Sequence, residues 1–194
     1  MLNTTARIAI ALLLLGLSGT VVVVSASASD PIINYGQAFA LWSDSFNSYC
    51  LSSFASGVYL KCDVGVTDSA NATAFVISGG SGPVSTAAGS TASLRRRDGD
   101  IPYNNRYYCR ATANTDGNVQ CDMEYDTDSA TQFSFVNTSP WADGYLHVNY
   151  SWVAFKNVFS GGWCSAQPST QNNGVVQCNR SSVSTWESFH FVLL

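Results

Sequence analysis

The sequence has few charged residues and few residues of the kinds that take part in catalysis. Charged side chains make up 11% of the 194 residues, and only two histidines and two methionines occur. Nine basic side chains against 13 acidic ones give a net charge of −4. Because proteins that bind nucleic acid carry a basic surface, we expect no nucleic-acid partner.

The sequence shows no recognisable catalytic group and no recognisable metal site. Hydrolases need a pair of carboxylates, or a nucleophile with a base, and only His147 and His190 are available as imidazole bases. No Cys-x-x-Cys pair is present, which argues against zinc. The acidic run at residues 122–128 lacks the glycine of a calcium-binding loop and is interpreted as a solvated loop. We expect a protein without enzymatic activity, metal or cofactor.

Only one apolar run is long enough to engage a membrane. It covers residues 8–24, contains a polar interruption, and is followed by the small residues Ala26, Ser27 and Ala28. This pattern predicts a signal peptide at residues 1–28 and a single mature domain at residues 29–194. A retained membrane anchor is the alternative, because the run of 17 residues is at the lower limit for a span. After cleavage we expect no membrane span and an extracellular protein, either secreted or displayed on a virion or cell surface.

Six cysteines recur in pairs along the predicted mature chain. The members of successive pairs are 12, 12 and 14 residues apart, and the first members of the pairs are separated by 59 and 55 residues. An even number of cysteines in an exported protein indicates disulfides, and the regular recurrence selects one connectivity. The predicted disulfides are Cys50–Cys62, Cys109–Cys121 and Cys164–Cys178.

In the predicted mature chain, four Asn-x-Ser/Thr triplets match the acceptor pattern for N-linked glycosylation. Together with a signal peptide they indicate a secretory glycoprotein. The candidate acceptors are Asn71, Asn137, Asn149 and Asn179.

Other residues recur with the cysteines and predict a threefold internal repeat. An aromatic residue precedes the first cysteine of each pair, and each copy ends in an alternating apolar segment that contains Phe75, Phe135 or Phe191. Each copy holds four short runs typical of β-strands, which gives twelve strands in all. In the last strand Phe189 and Phe191 are expected to face the core and His190 to be a solvated surface residue. The repeats cover about residues 30–80, 81–139 and 140–194.

Two hairpin segments carry the residues that allow comparison with a known family. In the middle copy, Asn-Arg-Tyr-Tyr-Cys at residues 105–109 precedes a turn and Gly-Asn-Val-Gln-Cys-Asp at 117–122 follows it. The last copy has Gly-Val-Val-Gln-Cys-Asn-Arg at 174–180 and Thr-Trp-Glu-Ser-Phe at 185–189. These segments resemble the β-trefoil domains of the fascin-like group. The resemblance implies an all-β protein, a six-stranded barrel capped by three hairpins, here with one disulfide per four-stranded repeat.

The resemblance implies a fold more than it implies one activity. Known members of the group include actin bundlers, sugar-binding modules and modules appended to enzymes. A signal peptide, sequons and paired cysteines do not fit cytosolic actin bundling. The Gln-x-Trp elements of ricin-type sugar binding are absent as well.

Corresponding positions of the three repeats are the ligand candidates, because a repeat protein presents one kind of pocket three times. Sugars require a stacking aromatic ring beside amide or carboxylate partners. The candidate ligand-binding residues are Tyr49, Tyr108, Trp163, Asp63, Asp122 and Asn179. The one basic cluster, Arg95, Arg96 and Arg97, is the candidate contact for a sulfate, phosphate or acidic glycan. The alternatives are a cleavage site for a basic-specific processing protease and a polar turn.

Two functions remain open from the sequence. The first is a non-enzymatic, lectin-like module that binds glycans or glycoproteins. The alternative is a structural extracellular protein that self-associates into a coat, fibre or matrix. Apolar surface candidates such as Trp42 and Phe46, with a free N-terminal strand at residues 30–35, would suit the alternative.

Overall fold

The computed structural model describes residues 31–52, 59–63, 65–97, 108–113, 116–138, 143–148, 152–166 and 174–194. The predicted signal peptide at residues 1–28 lies outside these ranges. Within them the chain forms β-strands and three short 3-10 turns, Ser69–Asn71, Ser129–Thr131 and Thr185–Glu187, but no α-helix. None of the helical segments described is long and apolar enough to cross a membrane.

Thirteen strands follow one another along the described chain. They are β1 (Ala38–Ser43), β2 (Ser48–Tyr49), β3 (Leu51–Ser52), β4 (Leu60–Lys61), β5 (Phe75–Ser78), β6 (Ala92–Arg96), β7 (Tyr108–Ala111), β8 (Val119–Met123), β9 (Gln132–Asn137), β10 (Trp152–Asn157), β11 (Trp163–Ala166), β12 (Val176–Arg180) and β13 (Phe189–Leu193).

Six of these strands close into a barrel. β1 pairs with β5 and β13, β5 with β6, β6 with β9, β9 with β10, and β10 with β13, all antiparallel. Every barrel strand therefore has a neighbour on both sides, which satisfies the backbone hydrogen bonds and leaves no open sheet edge. The prediction of an all-β fold is confirmed.

Phenylalanine side chains from alternate strand positions fill the barrel. The ring centroids of Phe39 and Phe191 are 4.5 Å apart in a stacked arrangement, and those of Phe155 and Phe189 are 5.1 Å apart. Phe189 and Phe191 are fully buried, as the sequence predicts. Because aromatic side chains bury the largest apolar areas, these rings dominate the hydrophobic stabilisation of the barrel. The fully buried rings are Phe39, Phe75, Phe133, Phe155, Phe189 and Phe191.

Disulfides connect the strands of three hairpins outside the barrel. Two of them join residues that lie directly opposite each other, Cys109 with Cys121 between β7 and β8, and Cys164 with Cys178 between β11 and β12. The third links Cys50, just before β3, to Cys62, just after β4. All three predicted disulfides are present.

Strand pairing is irregular at each aromatic residue and the cysteine that follows it. Cys50 separates β2 from β3, so the structure has one strand more than the twelve predicted. The pairing register shifts between Tyr108 and Cys109, and again between Trp163 and Cys164. Such bulges change the direction of a strand. Here the strand leaves its barrel neighbour after the aromatic residue and enters the hairpin at the cysteine.

The hairpins contact one another through glycines. Cys178 donates its N–H to the carbonyl of Gly117, and Cys62 donates to the carbonyl of Gly174. A Cβ at Gly174 would lie 2.4 Å from the Cβ of Asp63, and one at Gly117 would lie 2.9 Å from the Cys178 carbonyl oxygen. Both glycines also have positive φ values. This close approach explains why glycine opens both of the motifs on which the family resemblance rests.

Three connecting loops are joined to one another by a cycle of backbone hydrogen bonds. Ile33 N–H donates to Leu146 O (2.9 Å), Leu146 N–H to Val84 O (2.9 Å), and Val84 N–H to Ile33 O (3.0 Å). All three side chains are buried. The expectation of a free N-terminal strand is therefore wrong for residues 31–35, because this segment is bonded to both other loops.

A buried histidine secures one of these loops. His147 Nε2 lies 2.8 Å from Asp143 Oδ2, while the side chain of Asn137 accepts from the His147 N–H and donates to Tyr145 O. Hydrogen bonds from the His147 ring and the Tyr145 N–H hold the pKa of Asp143 below its ordinary value of 3.8. The ionised form of Asp143 therefore stabilises the fold.

Removing one hairpin disulfide tests its contribution to stability. Changing Cys109 and Cys121 together to alanine opens a loop with a sequence separation of 12 residues. We expect the free energy of unfolding to fall by about 2–4 kcal/mol, because the unfolded chain gains conformational freedom. Urea unfolding followed by tryptophan fluorescence measures the change. A loss of less than about 0.5 kcal/mol, the size of an ordinary surface substitution, would show that the hairpin needs no covalent link.

The pH dependence of stability tests the contact between Asp143 and His147. Since the pKa of Asp143 is lowered by folding, its contribution is fully present above pH 3.8 and is lost as the pH falls through the lowered folded value. We expect Asp143→Asn to be less stable than the wild type at pH 6, and the difference to shrink as the pH falls below 3.8. Thermal unfolding from pH 2 to pH 7 measures this. A difference that does not depend on pH would contradict the assignment.

Candidate functional site

The structure places the three predicted aromatic residues at corresponding positions but in different surroundings. Tyr49 lies opposite Trp42, Tyr108 lies opposite Arg95, and Trp163 lies opposite Lys156. The Lys156 ammonium is 5.8 Å from the centroid of the Trp163 ring. Two of these aromatics are thus paired with a cation, and only Tyr49 is paired with another aromatic ring.

The predicted polar partners do not gather around these aromatics in the same way. Asp122 accepts two hydrogen bonds from Arg110, one from Nε at 2.8 Å and one from Nη2 at 2.9 Å, and this contact raises the pKa of Arg110. The residue opposite Tyr108 on β8 is Met123. Asp63 and Asn179 are exposed. Asp122 therefore joins the two strands of its hairpin.

The basic cluster lies at the end of barrel strand β6, and its exposure increases along the chain. Arg95 and Arg96 end β6 and are half-buried, with Val76 and Phe75 opposite them on β5. Arg97 is exposed, and its N–H donates to Ala74 O.

The predicted glycosylation acceptors also differ in their surroundings. Asn71, in a 3-10 turn, and Asn179, on β12, are exposed. Asn137 uses its side-chain amide to hold the loop at Tyr145. Asn149 lies outside the described residues.

A groove on the outer surface brings aromatic rings and a carboxylate together. It is a concavity of about 350 Å³ where β1, β2 and β13 meet. Tyr49 is the one residue it shares with the predicted ligand set. The groove is lined by Trp42, Asp44, Tyr49, Thr67, His190 and Val192.

One carboxylate holds two rings of the groove in place. Asp44 Oδ1 accepts a hydrogen bond of 3.0 Å from the indole Nε1 of Trp42, and Asp44 Oδ2 lies 3.0 Å from Nε2 of His190. The Tyr49 ring meets the Trp42 ring edge-on, with centroids 4.9 Å apart and an angle of 76° between planes. The side chain of Asp44 is 42% exposed, so it retains lone pairs that face solvent.

Local structure explains how the sequence places these groups. Trp42 follows the buried Leu41 on β1, so alternation directs its ring to the outside of the barrel. Asp44 begins the turn between β1 and β2, which closes through a hydrogen bond from Asn47 N–H to Asp44 O. Asn47 adopts φ 48°, a left-handed conformation that asparagine tolerates well. The turn thereby brings Tyr49 back against Trp42.

His190 reaches the groove from the other end of the described chain. It lies directly opposite Trp42 in the pairing of β13 with β1. The sequence predicts a solvated histidine, but the side chain is only 17% exposed and is bonded to Asp44, so that prediction is wrong. The alternation of buried phenylalanines correctly predicts its outward direction, but it does not reveal which strand lies alongside.

The groove offers aromatic faces and hydrogen-bond acceptors but no evident metal site. Within the described ranges, no three His, Cys, Asp or Glu side chains are arranged to hold a metal ion. The lining contains one carboxylate and one imidazole. Such a groove suits a ligand with both apolar faces and hydroxyl groups.

Similarity to known proteins is visible in structure and not in sequence. No protein-family model matches the chain, and no curated protein matches it significantly. An SDF2-like protein from Arabidopsis thaliana matches with a TM-score of 0.57 and 14% identity, over 84% of this chain and 95% of that one. A structure described as BEL beta-trefoil matches with a TM-score of 0.58 and 12% identity, over 84% and 97%. The fold is a β-trefoil.

A β-trefoil also appears within a longer neighbour. The receptor binding domain of botulinum neurotoxin D matches with a TM-score of 0.56 and 13% identity, over 83% of this chain and 41% of that one. At these identities the matches show the fold alone. The assignment to the fascin-like group within the β-trefoils remains a prediction.

Substitutions of Asp122 and Asp44 test which of the two carboxylates contacts the tryptophan of the groove. We expect Asp122→Ala to lower the free energy of unfolding by at most about 1 kcal/mol, because the pair is partly exposed. The groove around Trp42 should be unaffected, so the tryptophan emission spectrum should not change. Asp44→Ala, which removes the acceptor of the indole hydrogen bond, should shift that spectrum. A spectrum changed by Asp122→Ala and not by Asp44→Ala would contradict the assignment of Asp44, and not Asp122, to the groove.

Proposed function

We propose that the protein is a secreted, non-enzymatic β-trefoil glycoprotein that binds glycans through the groove formed by Trp42, Tyr49, Asp44 and His190. The observation that carries the proposal is the convergence of two aromatic rings and a solvent-facing carboxylate in one concavity. A sugar ring has an apolar face that stacks on an aromatic ring and hydroxyl groups that donate to a carboxylate. The site is therefore centred on β1 and β13, with Tyr49 retained from the predicted set.

Several features support extracellular recognition. Disulfides persist in oxidising compartments, and three are present. Two predicted glycosylation acceptors, Asn71 and Asn179, are exposed. The neurotoxin chain that matches over 41% of its length is described as a receptor binding domain.

We further propose that residues 29–194 are one domain of three repeats derived from a common unit, since corresponding strands pair in the same order.

The lining of the groove also supports a binding role over a hydrolytic one. Glycoside hydrolysis commonly uses two carboxylates flanking the scissile bond, and the groove lining contains one. Both oxygens of Asp44 are engaged by ring nitrogens of Trp42 and His190, an arrangement that fixes ring positions.

Self-assembly is the alternative, and the structure offers it less support. Residues 31–35 are bonded inside the fold, and Phe46 packs against the core. The six barrel strands have no open edge for pairing with another molecule. We therefore expect a monomer in solution, which light scattering measures. A polymer without affinity for glycans would favour the alternative.

Glycan binding by the wild type and two tryptophan variants tests the proposal. Trp42→Ala should weaken binding about tenfold or more, since a buried aromatic contact of this size contributes more than about 1.4 kcal/mol. Trp186→Ala is the matched control, because Trp186 is 40% exposed and lies against Arg180 instead of in the groove. A glycan array followed by calorimetry measures both. Equal losses in the two variants, or no binding by the wild type, would contradict the proposal.

A further inference from the structure

Four aromatic side chains form a continuous row across adjacent strands on the outside of the barrel. Trp152 on β10 lies opposite His190 on β13, His190 lies opposite Trp42 on β1, and Trp42 lies opposite Tyr49 on β2. Residues directly opposite each other on paired strands share one face of the sheet. The row therefore extends beyond the groove to Trp152, which is 46% exposed.

Ring contacts within the row are edge-on at both ends. The rings of Trp152 and His190 have centroids 6.2 Å apart and an interplanar angle of 81°. Those of Trp42 and Tyr49 are 4.9 Å apart at 76°. Neighbouring strands are about 4.8 Å apart, so three strand intervals give the row a length of about 14 Å. A single sugar ring is too short to contact both ends.

The charge of the row distinguishes it from the two corresponding surfaces. The positions that correspond to Trp42 on the other barrel strands are Arg95 on β6 and Lys156 on β10, because they lie opposite Tyr108 and Trp163 as Trp42 lies opposite Tyr49. The groove lining contains no lysine or arginine, and its one carboxylate, Asp44, is hydrogen-bonded to the rings of Trp42 and His190. An acidic sugar would meet an unfavourable charge there, whereas hydroxyl groups meet an acceptor.

We infer that the ligand is a neutral, extended oligosaccharide that lies across the strands from Tyr49 to Trp152, with its hydroxyl groups directed to Asp44. This inference rests on the proposed glycan-binding function and adds the charge, length and direction of the glycan. Trp152 then provides a second stacking surface about two strand spacings, or about 10 Å, from Trp42.

An array of neutral, sialylated, sulfated and uronic-acid glycans of one to six sugar units tests the inference with the full chain. The protein is treated to remove N-linked glycans, because the Asn149 sequon precedes Trp152 by three residues and its own sugar could compete. We expect neutral glycans to bind and acidic ones of equal length not to bind. Calorimetry with shortened fragments of the best neutral glycan should show affinity rising about tenfold or more from one unit to four.

Trp152→Ala and Trp152→Phe separate the end of the row from its centre. We expect Trp152→Ala to reduce the affinity of the four-unit glycan to nearly that of its shortest fragment, and to leave the affinity of the shortest fragment unchanged. Trp152→Phe, which keeps an aromatic ring, should restore part of the length dependence. Trp186→Ala again serves as the matched control, and circular dichroism establishes that each variant is folded.

The outcomes distinguish the two proposals. If no glycan binds, both fail. If glycans bind and Trp42→Ala weakens binding as expected, but acidic glycans bind as well as neutral ones or Trp152→Ala has no effect on long glycans, the present inference fails and the proposed function stands. Neutral, length-dependent binding that is sensitive to both tryptophans supports both.

Discussion

Closure of the six-stranded barrel is the constraint on which the rest of the structure depends. A barrel strand with two neighbours has its register fixed on both sides, and the buried phenylalanines fix which face of each strand points inward. A shift of one residue would move Phe189 and Phe191 to the surface and His190 into the core. The hydrophobic cost of that exchange is several kcal/mol, because two large aromatic side chains would be exposed. The positions of the outward side chains are therefore consequences of core packing.

Outward-facing side chains of the barrel differ in charge and size. The hairpins leave the barrel at an aromatic residue in each case, but the residue opposite that aromatic is Trp42, Arg95 or Lys156. None of the three is needed for the hydrophobic core, so each position is free to differ in charge and shape. Only the first position is joined by a histidine from the neighbouring barrel strand, since Val76 and Ser134 occupy the corresponding places beside Arg95 and Lys156. The barrel thus carries a groove of this composition at one of these three positions among the described residues.

The sequence predicts the features that depend on local spacing, and misses those that depend on long-range register. Cysteine recurrence predicts all three disulfides, and alternation predicts that Phe189 and Phe191 are buried. The repeat alignment goes wrong at Phe75. Arg95 and Lys156 occupy corresponding positions, and so do the residues that follow them, Arg96 and Asn157. Phe75 lies opposite Arg96 and Phe133 lies opposite Asn157. Phe75 therefore corresponds to Phe133 and not to Phe135. Alternating phenylalanines look alike after a shift of two residues, and only strand pairing distinguishes them.

The groove is the clearest case of information absent from local sequence. Trp42 and His190 are far apart in the chain and become neighbours only because β13 closes the barrel against β1. Asp44 then connects both of their rings across that junction. A ligand that bridges the junction would bind the closed barrel and not a form in which β13 has separated, so binding would stabilise closure by mass action. Recognition and folding would thus share one set of contacts, those between the first barrel strand and the last.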